Sequence, residues 1–298
     1  MRPRVGVTLP QFGDEPERLE AAVAAIEASD LDSMWVFDHM WPLSGGKRRP
    51  IFEAWTTLAW LAARAGTKTV GTLVTRSSLR HPAVLAKMAA TVGEMAPGRL
   101  IVAIGSGDDM SREENEAFGI DYYSGEDRVD QLRSTVEVVV RFLTQEEVTQ
   151  HDDFVDLAAL PVSPRTALPV PVWVGGRSGD ALEIAGTLAD GWNGWGSDVE
   201  RFTQDANVVL AYTEGRPFEV TWGGLVVLAE TDAQAERKAA GKGDDIIAGS
   251  PETVTEKLAR FVDAGASHLV LTPLGRWEPE VVAALNDEVL PGLPGISP

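Results

Sequence analysis

Residues 69–105 read TVGTLVTRSSLRHPAVLAKMAATVGEMAPGRLIVAIG. The period of this stretch changes twice. Thr69 to Val74 is β-branched and apolar, as a strand is. Pro82 suits the first turn of a helix, and helical period runs from there to about Met95. Leu100 to Ile104 is apolar again, and Gly105 closes it. Strand, helix and strand follow one another without a break.

The alternation continues in both directions. Upstream, Val5, Val7 and Leu9 open as a strand. Leu19, Ala22, Val23 and Ile26 then share one helical face, with Pro16 in the first turn. Ser33 to Phe37 is a second strand, and residues 53–65 form a helix that Gly66 ends. Downstream, residues 126–143 form a long helix striped by Val129, Leu132, Val136 and Val140. Val172 to Val174 is a fifth strand, followed by a helix near 180–189. Gly191 to Trp195 is a short sixth strand, with a helix over about 198–213. Val220 to Leu228 is the seventh, and Asp232 to about Ala240 is helical. Ser250-Pro251-Glu252 starts a helix with a Ser cap and Pro at its first position. Its buried face is Val254, Leu258, Phe261 and Val262, and Gly265 ends it. His268 to Thr272 is the eighth strand, and residues 279–287 form a last helix. Residues 145–170, with prolines at 161, 164 and 169, read as an irregular insertion. Eight strands alternating with helices, and no domain-sized break, predict an α/β protein: a single-domain (β/α)8 barrel over 1–298. A doubly wound sheet is the other architecture with this alternation.

Composition narrows the function classes. The chain has 298 residues, with 26 Lys and Arg against 45 Asp and Glu, a net charge of −19. Such a balance disfavours nucleic acid and anionic membrane surfaces as partners. Cysteine is absent, which removes thiolate nucleophiles, disulfides and Cys-based metal sites. Met1-Arg2-Pro3-Arg4-Val5 lacks the apolar core of a signal peptide, and no uncharged run approaches the ~18 residues of a membrane helix. A cytoplasmic globular protein is expected.

In a barrel of this kind the chemistry sits in the loops after the strands. After the second strand comes Phe37-Asp38-His39-Met40-Trp41. An Asp beside a His can raise its basicity or orient it, which suits proton transfer; the plainer reading is a polar strand end. After the third strand, Arg76, Arg80 and His81 precede a helix and could hold an anion. Otherwise the arginines are solvent-facing ion-pair partners. After the fourth comes Gly105-Ser106-Gly107-Asp108-Asp109, where glycine lets backbone approach a ligand. It is not a dinucleotide fingerprint, because Met110 stands where a third glycine is needed. After the fifth, Val174-Gly175-Gly176-Arg177-Ser178-Gly179-Asp180 leads into a helix, and this is the best phosphate candidate in the chain. A tight turn capped by Ser178 is the bland alternative. Ala189-Asp190-Gly191-Trp192-Asn193-Gly194-Trp195-Gly196 could line a flat cofactor or be simple core. There is no Walker loop, no G-x-S-x-G elbow and no H-E-x-x-H. His39, His81, His151 and His268 never pair at H-x-H spacing, so no metal site is expected.

Together these segments resemble the luciferase-like superfamily of flavin and deazaflavin oxidoreductases. The resemblance rests on the order and spacing of pieces spread over nearly the whole chain. They are Val5 to Gln11, Trp35 to His39, Gly71 to Val74, Leu79 to Lys87, Gly98 to Gly107, Pro171 to Gly176, Ala189 to Trp192 and Gly265 to Leu271. It implies a TIM barrel with a flavin-type cofactor at its C-terminal mouth. Asp38 and His39 match the strand-end pair near the reactive ring, with His39 bonding the cofactor or relaying a proton. Leu73 and Val74 match a bulge, often a non-prolyl cis peptide, that backs the ring. Ser106, Gly107 and Asp108 match the loop flanking it. Gly175, Gly176, Arg177, Ser178 and Gly179 match the backbone nest for the cofactor phosphate. The short length and sparse insertion look like the branch using coenzyme F-420, with FMN the alternative. Asp108 stands where some deazaflavin sugar-phosphate dehydrogenases have a glutamate acid. That departure, and the lack of a basic cluster, weigh against a phosphorylated substrate.

The implied reaction is hydride transfer at C5 of the deazaflavin to or from a small apolar or carbonyl-bearing molecule. His39 would handle the proton, and Trp41, Trp192 and Trp195 are the residues read as an apolar mouth. The resemblance also suggests a homodimer. A reduced-flavin monooxygenase, a cofactor-binding barrel without catalysis, and an unrelated aldolase or hydrolase barrel are the rival readings.

Overall fold

The computed structural model describes residues 2–13, 15–42, 46–275 and 278–295. In chain order its elements are β1 (Arg4–Thr8), α1 (Pro16–Glu27), β2 (Ser33–Val36), α2 (Ala54–Arg64), β3 (Thr69–Thr72), β4 (Thr75–Arg76), α3 (Pro82–Met95), β5 (Leu100–Gly105), α4 (Ser111–Ala117), α5 (Glu126–Thr144), β6 (Glu147–His151), β7 (Asp156–Pro161), β8 (Val172–Gly175), α6 (Gly179–Leu188), β9 (Gly191–Trp195), α7 (Val199–Tyr212), β10 (Glu219–Leu228), α8 (Asp232–Ala239), β11 (Ile246–Gly249), α9 (Pro251–Asp263), β12 (His268–Pro273) and α10 (Pro279–Ala284). The helix starts follow local chemistry. Proline fills the first turn of α1, α3, α9 and α10. Side-chain oxygens of Ser178, Asp198 and Ser250 accept the otherwise unsatisfied amides of Ala181, Arg201 and Thr253.

Neighbouring strands run β11-β10-β12-β1-β2-β3-β5-β8-β9, and β9 also pairs with β10. The path therefore closes, and the eight strands β1, β2, β3, β5, β8, β9, β10 and β12 make a parallel TIM barrel. The doubly wound alternative is thereby excluded. The chain divides into two compact units.

The first unit holds residues up to 10, 15–35 and from 193 onward. β1 pairs β12 from Arg4↔His268 to Val7↔Leu271, and β2 from Gly6↔Ser33 to Thr8↔Trp35. Val5, Val7, Met34, Leu269 and Leu271 are buried along these strands, as is Trp222 on β10, paired with Leu269. A polar knot lies among them. The Ser33 hydroxyl meets His268 Nε2 at 2.7 Å and accepts from Trp35 Nε1 at 2.7 Å. Gly6 leaves room for it, since a Cβ there would meet the Ser33 hydroxyl and stand 2.6 Å from Trp35 Nε1. Burial, then the Arg4 charge, hold the His268 imidazole well below its usual titration range, so it is neutral at pH 7.

The second unit holds residues 11–13 and 36–192 among those described. β5 pairs β3 at Val70↔Leu100 and Gly71↔Ile101, β4 at Thr75↔Ile104 and Arg76↔Gly105, and β8 from Val102↔Val172 to Gly105↔Gly175. From Gly71 to Thr75 the chain takes four steps while β5 takes three. The extra residue is a bulge at Leu73–Val74, whose peptide bond is cis. What the sequence presents as one strand over 69–74 is thus interrupted.

Four elements depart from the sequence reading. Residues 147–161 are not irregular. They form an antiparallel hairpin of β6 and β7, with β6 alternating exposed and buried residues. The neighbouring prolines obscured it. β11 was not expected. Nor was α4, because its inward face is Ser111, Glu114 and Asn115, polar residues that leave no apolar stripe to read. Among the described residues, no helix is long and apolar enough to cross a membrane.

Candidate active site

The exit of β2 is tied down by Gln11, which is fully buried. Its Nε2 donates to the Phe37 carbonyl at 2.7 Å and to the Phe52 carbonyl at 2.6 Å, and its Oε1 accepts from the Phe37 amide at 2.8 Å. Both backbone polar groups of Phe37 are thus satisfied beside the two residues that follow.

Those residues point to different partners. The Asp38 carboxylate is buried and gripped by Arg80, with Nη1 at 2.6 Å and Nη2 at 3.1 Å, and the Thr75 hydroxyl donates to it as well. Arg80 also pairs with Glu53, whose carboxylate caps α2 through the amides of Trp55 and Thr56. Trp55 Nε1 reaches the Thr75 hydroxyl at 3.0 Å. Burial draws the Arg80 guanidinium down and Asp38 and Glu53 push it up, leaving it above its ordinary value. For the Glu53 carboxyl, burial acts upward, yet Thr56 and Arg80 bring it below the usual range.

His39 turns to Glu114. Its Nδ1 lies 3.3 Å from Glu114 Oε2. Glu114 Oε1 also accepts the amides of Met40 and of Trp41, the latter at 2.9 Å. Arg76 pairs with the same carboxylate and donates from Nη1 to Asn115 Oδ1 at 3.2 Å. Asn115 in turn donates to the Asp121 carbonyl at 3.0 Å. Burial raises the Glu114 carboxyl, but the His39 hydrogen bond, the Arg76 charge and the Trp41 amide together hold it below the normal carboxylate range. Glu114 is 1% exposed and His39 19%. The imidazole therefore reaches a pocket of about 220 Å3 that Trp41, Pro42, Gly46, Lys47 and Met110 help to line. Lys47 pairs with Glu113 and lies 4.6 Å over the Trp41 ring.

Arg76 and Arg80 are therefore not solvent-facing ion-pair partners, and no anion site is left to them. Each guanidinium is sunk among carboxylates, with the Arg76 side chain 3% exposed. Glu114, Asn115 and Glu53 were missed by sequence reading. Nothing in Arg112-Glu113-Glu114-Asn115 distinguishes an inward carboxylate from a solvated one.

The second constellation is made of backbone. Val74 projects between two strand ends. A Cβ on Gly105 would stand 2.6 Å from Val74 Cγ2, and one on Gly175 2.8 Å from Val74 Cγ1. The bulge therefore requires glycine at the ends of β5 and of the next strand, β8. Gly107 has φ +73°, and a Cβ there would press on Arg76 Cδ and Ser111 Oγ at 3.2 Å. Ser106 Oγ donates to the Gly107 carbonyl at 3.2 Å. Asp108 accepts from the Ser111 amide at 3.0 Å and hydroxyl at 2.9 Å, and so starts α4. At the end of β8, Gly176 has φ +146°, and a Cβ there would come 2.9 Å from Ala181 Cβ. Trp192 Nε1 holds the Gly176 carbonyl at 2.7 Å. Ser178 caps α6, so Gly175, Gly176, Arg177, Ser178 and Gly179 form the turn into a helix start. Trp192 is completely buried, so it supports this turn from behind and lines no mouth. His81 accepts the Ala83 amide at the start of α3. Among the described residues, no group of His, Asp and Glu could hold a metal ion.

Residues 1–247 match the family described as luciferase-like monooxygenase. The chain is 27% identical over 319 residues to an F420-dependent glucose-6-phosphate dehydrogenase of Kineococcus radiotolerans, covering 93% of each protein. Its fold is like that of an F420-dependent secondary alcohol dehydrogenase solved with an F420–acetone adduct, at a TM-score of 0.85 and 20% identity over 99% of this chain and 100% of that one. It is also like the oxygenating constituent of 3,6-diketocamphane monooxygenase from Pseudomonas putida in complex with FMN, at 0.77 and 17% identity over 99% and 100%. With most of its length matched, and with a closed barrel whose third strand is interrupted by a bulge beside two glycine strand ends, the chain belongs to the luciferase-like monooxygenase family.

Proposed function

We propose that this chain is an oxidoreductase that uses coenzyme F-420 to move a hydride to or from a small apolar or carbonyl-bearing molecule, and that it works as a cytoplasmic homodimer. The observation that carries the reading is His39, anchored through one ring nitrogen and exposed to a pocket walled by Trp41, Pro42 and Met110. The curated relative described as F420-dependent supports the cofactor.

The residues present fit such a group. Gly105 and Gly175 admit the Val74 side chain that would back a flat ring, and Gly176, at φ +146°, turns the chain into the start of α6, where a phosphate would meet backbone amides. Leu73 and Val74 would back the ring, and Ser106, Gly107 and Asp108 would flank it. Gly175, Gly176, Arg177, Ser178 and Gly179 would take the phosphate at the start of α6. When bound, the deazaflavin supplies a two-electron hydride carrier.

The chain's own part is position and proton. His39 exchanges a proton with the substrate oxygen. Asp38, whose carboxylate is engaged by Arg80 and Thr75, positions the β2 exit and takes no proton. Trp41 and Met110 favour apolar substrate surface. The cations nearby do not favour a phosphorylated one: Lys47 is paired with Glu113, and Arg76 and Arg80 with Glu114, Asp38 and Glu53.

Parallel titrations with F-420 and FMN, followed by fluorescence, test the cofactor. Micromolar binding of F-420 with much weaker binding of FMN is expected. Preference for FMN, with oxygen uptake during turnover, would replace this reading by the monooxygenase one. For His39→Ala we expect F-420 binding within about threefold of wild type and turnover lower by roughly 10²- to 10⁴-fold. Full turnover in that variant would remove His39 from the reaction.

A further inference from the structure

A buried carboxylate is costly unless several donors satisfy it. Glu114 sits on the unpredicted helix α4 and is satisfied by groups from two other segments: the amides of Met40 and Trp41, the ring of His39, and the guanidinium of Arg76. One oxygen fixes the peptide amides on either side of Met40. The other meets His39 Nδ1. A carboxylate below its usual titration range is an acceptor only, so the ring nitrogen facing it must carry hydrogen.

We propose that Glu114 is the positioning residue of the site: by accepting the Nδ1–H of His39 it fixes the ring tautomer and makes Nε2 the atom that takes up and returns the substrate's proton. This rests on the reading of His39 as the proton carrier.

The surrounding charges agree with the assignment. From β4, Arg76 faces Glu114, and Asp38 and Asp108 both act on Arg76. From the segment before α3, Arg80 is occupied by Asp38 and by Glu53 of the α2 cap. From the loop after β2, Lys47 is occupied by Glu113. Carboxylates outnumber guanidiniums in this cluster, so an imidazolium formed at His39 balances charge already present. Asp38 cannot play this part, because its oxygens are taken by Arg80 and Thr75. When the proton reaches Nε2, Nδ1–H remains on Glu114, and the carboxylate keeps its charge throughout.

The tautomer is measurable without any cofactor. Protein labelled with 15N-histidine, with the His39 signals identified by their loss in His39→Ala, reports the two ring nitrogens separately. In the neutral ring of the wild type, Nδ1 should carry the proton and Nε2 should be bare. A proton on Nε2 in the wild type would overturn the proposal, whatever any variant does. Glu114→Gln, folded by circular dichroism, should shift the ring proton towards Nε2. It should also lower kcat by about 10²-fold at unchanged F-420 affinity, and Glu114→Asp should recover part of the loss. An unchanged tautomer in Glu114→Gln, or equal losses of kcat and of cofactor affinity, would reduce Glu114 to a structural anchor and sink the idea. Failure of the cofactor reading would show separately, as no binding of F-420 to a protein whose His39 ring is as stated.

Discussion

Arg76 and Arg80 lie one helical turn apart in sequence spacing, yet each guanidinium serves a different carboxylate of the site. Arg80 joins Asp38 to Glu53, and Arg76 joins the Asp38 carbonyl to Glu114. Burying such pairs gains little against a well-packed apolar alternative, but removing one partner strands a charge. Arg80→Met should therefore cost about 3–5 kcal/mol in urea unfolding, and Asp38→Leu a similar amount. Because the two side chains share one interaction, the double variant should lose clearly less than the sum of the singles. Strict additivity would mean that the ion pair contributes nothing to the fold. The sequence pointed to His39, and to Asp38 as its neighbour. It could not show that the two side chains diverge, since adjacency in a chain says nothing about which oxygen a ring nitrogen meets. The true partner is 75 positions away.

Secondary structure was mostly legible where burial is apolar; the four-residue β11 is the exception, too short to show a period. The faces of α1 and α9 are the ones their spacing gives: Leu19, Ala22, Val23 and Ile26, and Val254, Leu258, Phe261 and Val262. Helix α4 was illegible because it buries polar side chains, and the β3–β4 interruption because Leu73 and Val74 are good strand residues. Glycines at the ends of β5 and β8 accommodate that interruption, which yields a test of the element as a unit. Gly175→Ala places a methyl 2.8 Å from Val74 Cγ1. It should destabilise by about 1–3 kcal/mol through overpacking. Adding Val74→Ala should restore most of the melting temperature, whereas, on the proposed reading of Val74 as the residue backing the ring, F-420 affinity should stay reduced. If Val74→Ala does not relieve the defect, the two side chains do not share that space.

For the whole molecule, acidity is the relevant variable. The folded His268 resists protonation, while the same residue in the unfolded chain binds a proton near its ordinary value of 6.5. The unfolded state thus gains protons first, and stability should be complete above pH 6.5 and fall as pH drops below it. A second loss should begin below about 4.5, the ordinary value for Glu53 and Glu114, whose carboxyls are held lower in the folded protein. Thermal melts from pH 7.5 to 4 should show both. His268→Gln should flatten the first limb only. A wild-type melting temperature that is constant from pH 7 to 5 would contradict the buried neutral imidazole.

The two polar knots also differ in when they can exist. Every charged member of the His39 network lies between Asp38 and Glu114, so a ribosome has delivered all of them before half the chain is made. The hydrogen bond between Ser33 and His268 spans 235 positions and needs β12, the last strand of the barrel. During synthesis the site's charges can therefore find one another long before β1 and β2 acquire the partner that completes their seam. A nascent chain stalled after α5 carries every charged member of the His39 network while the apolar flanks of β1 still lack β12.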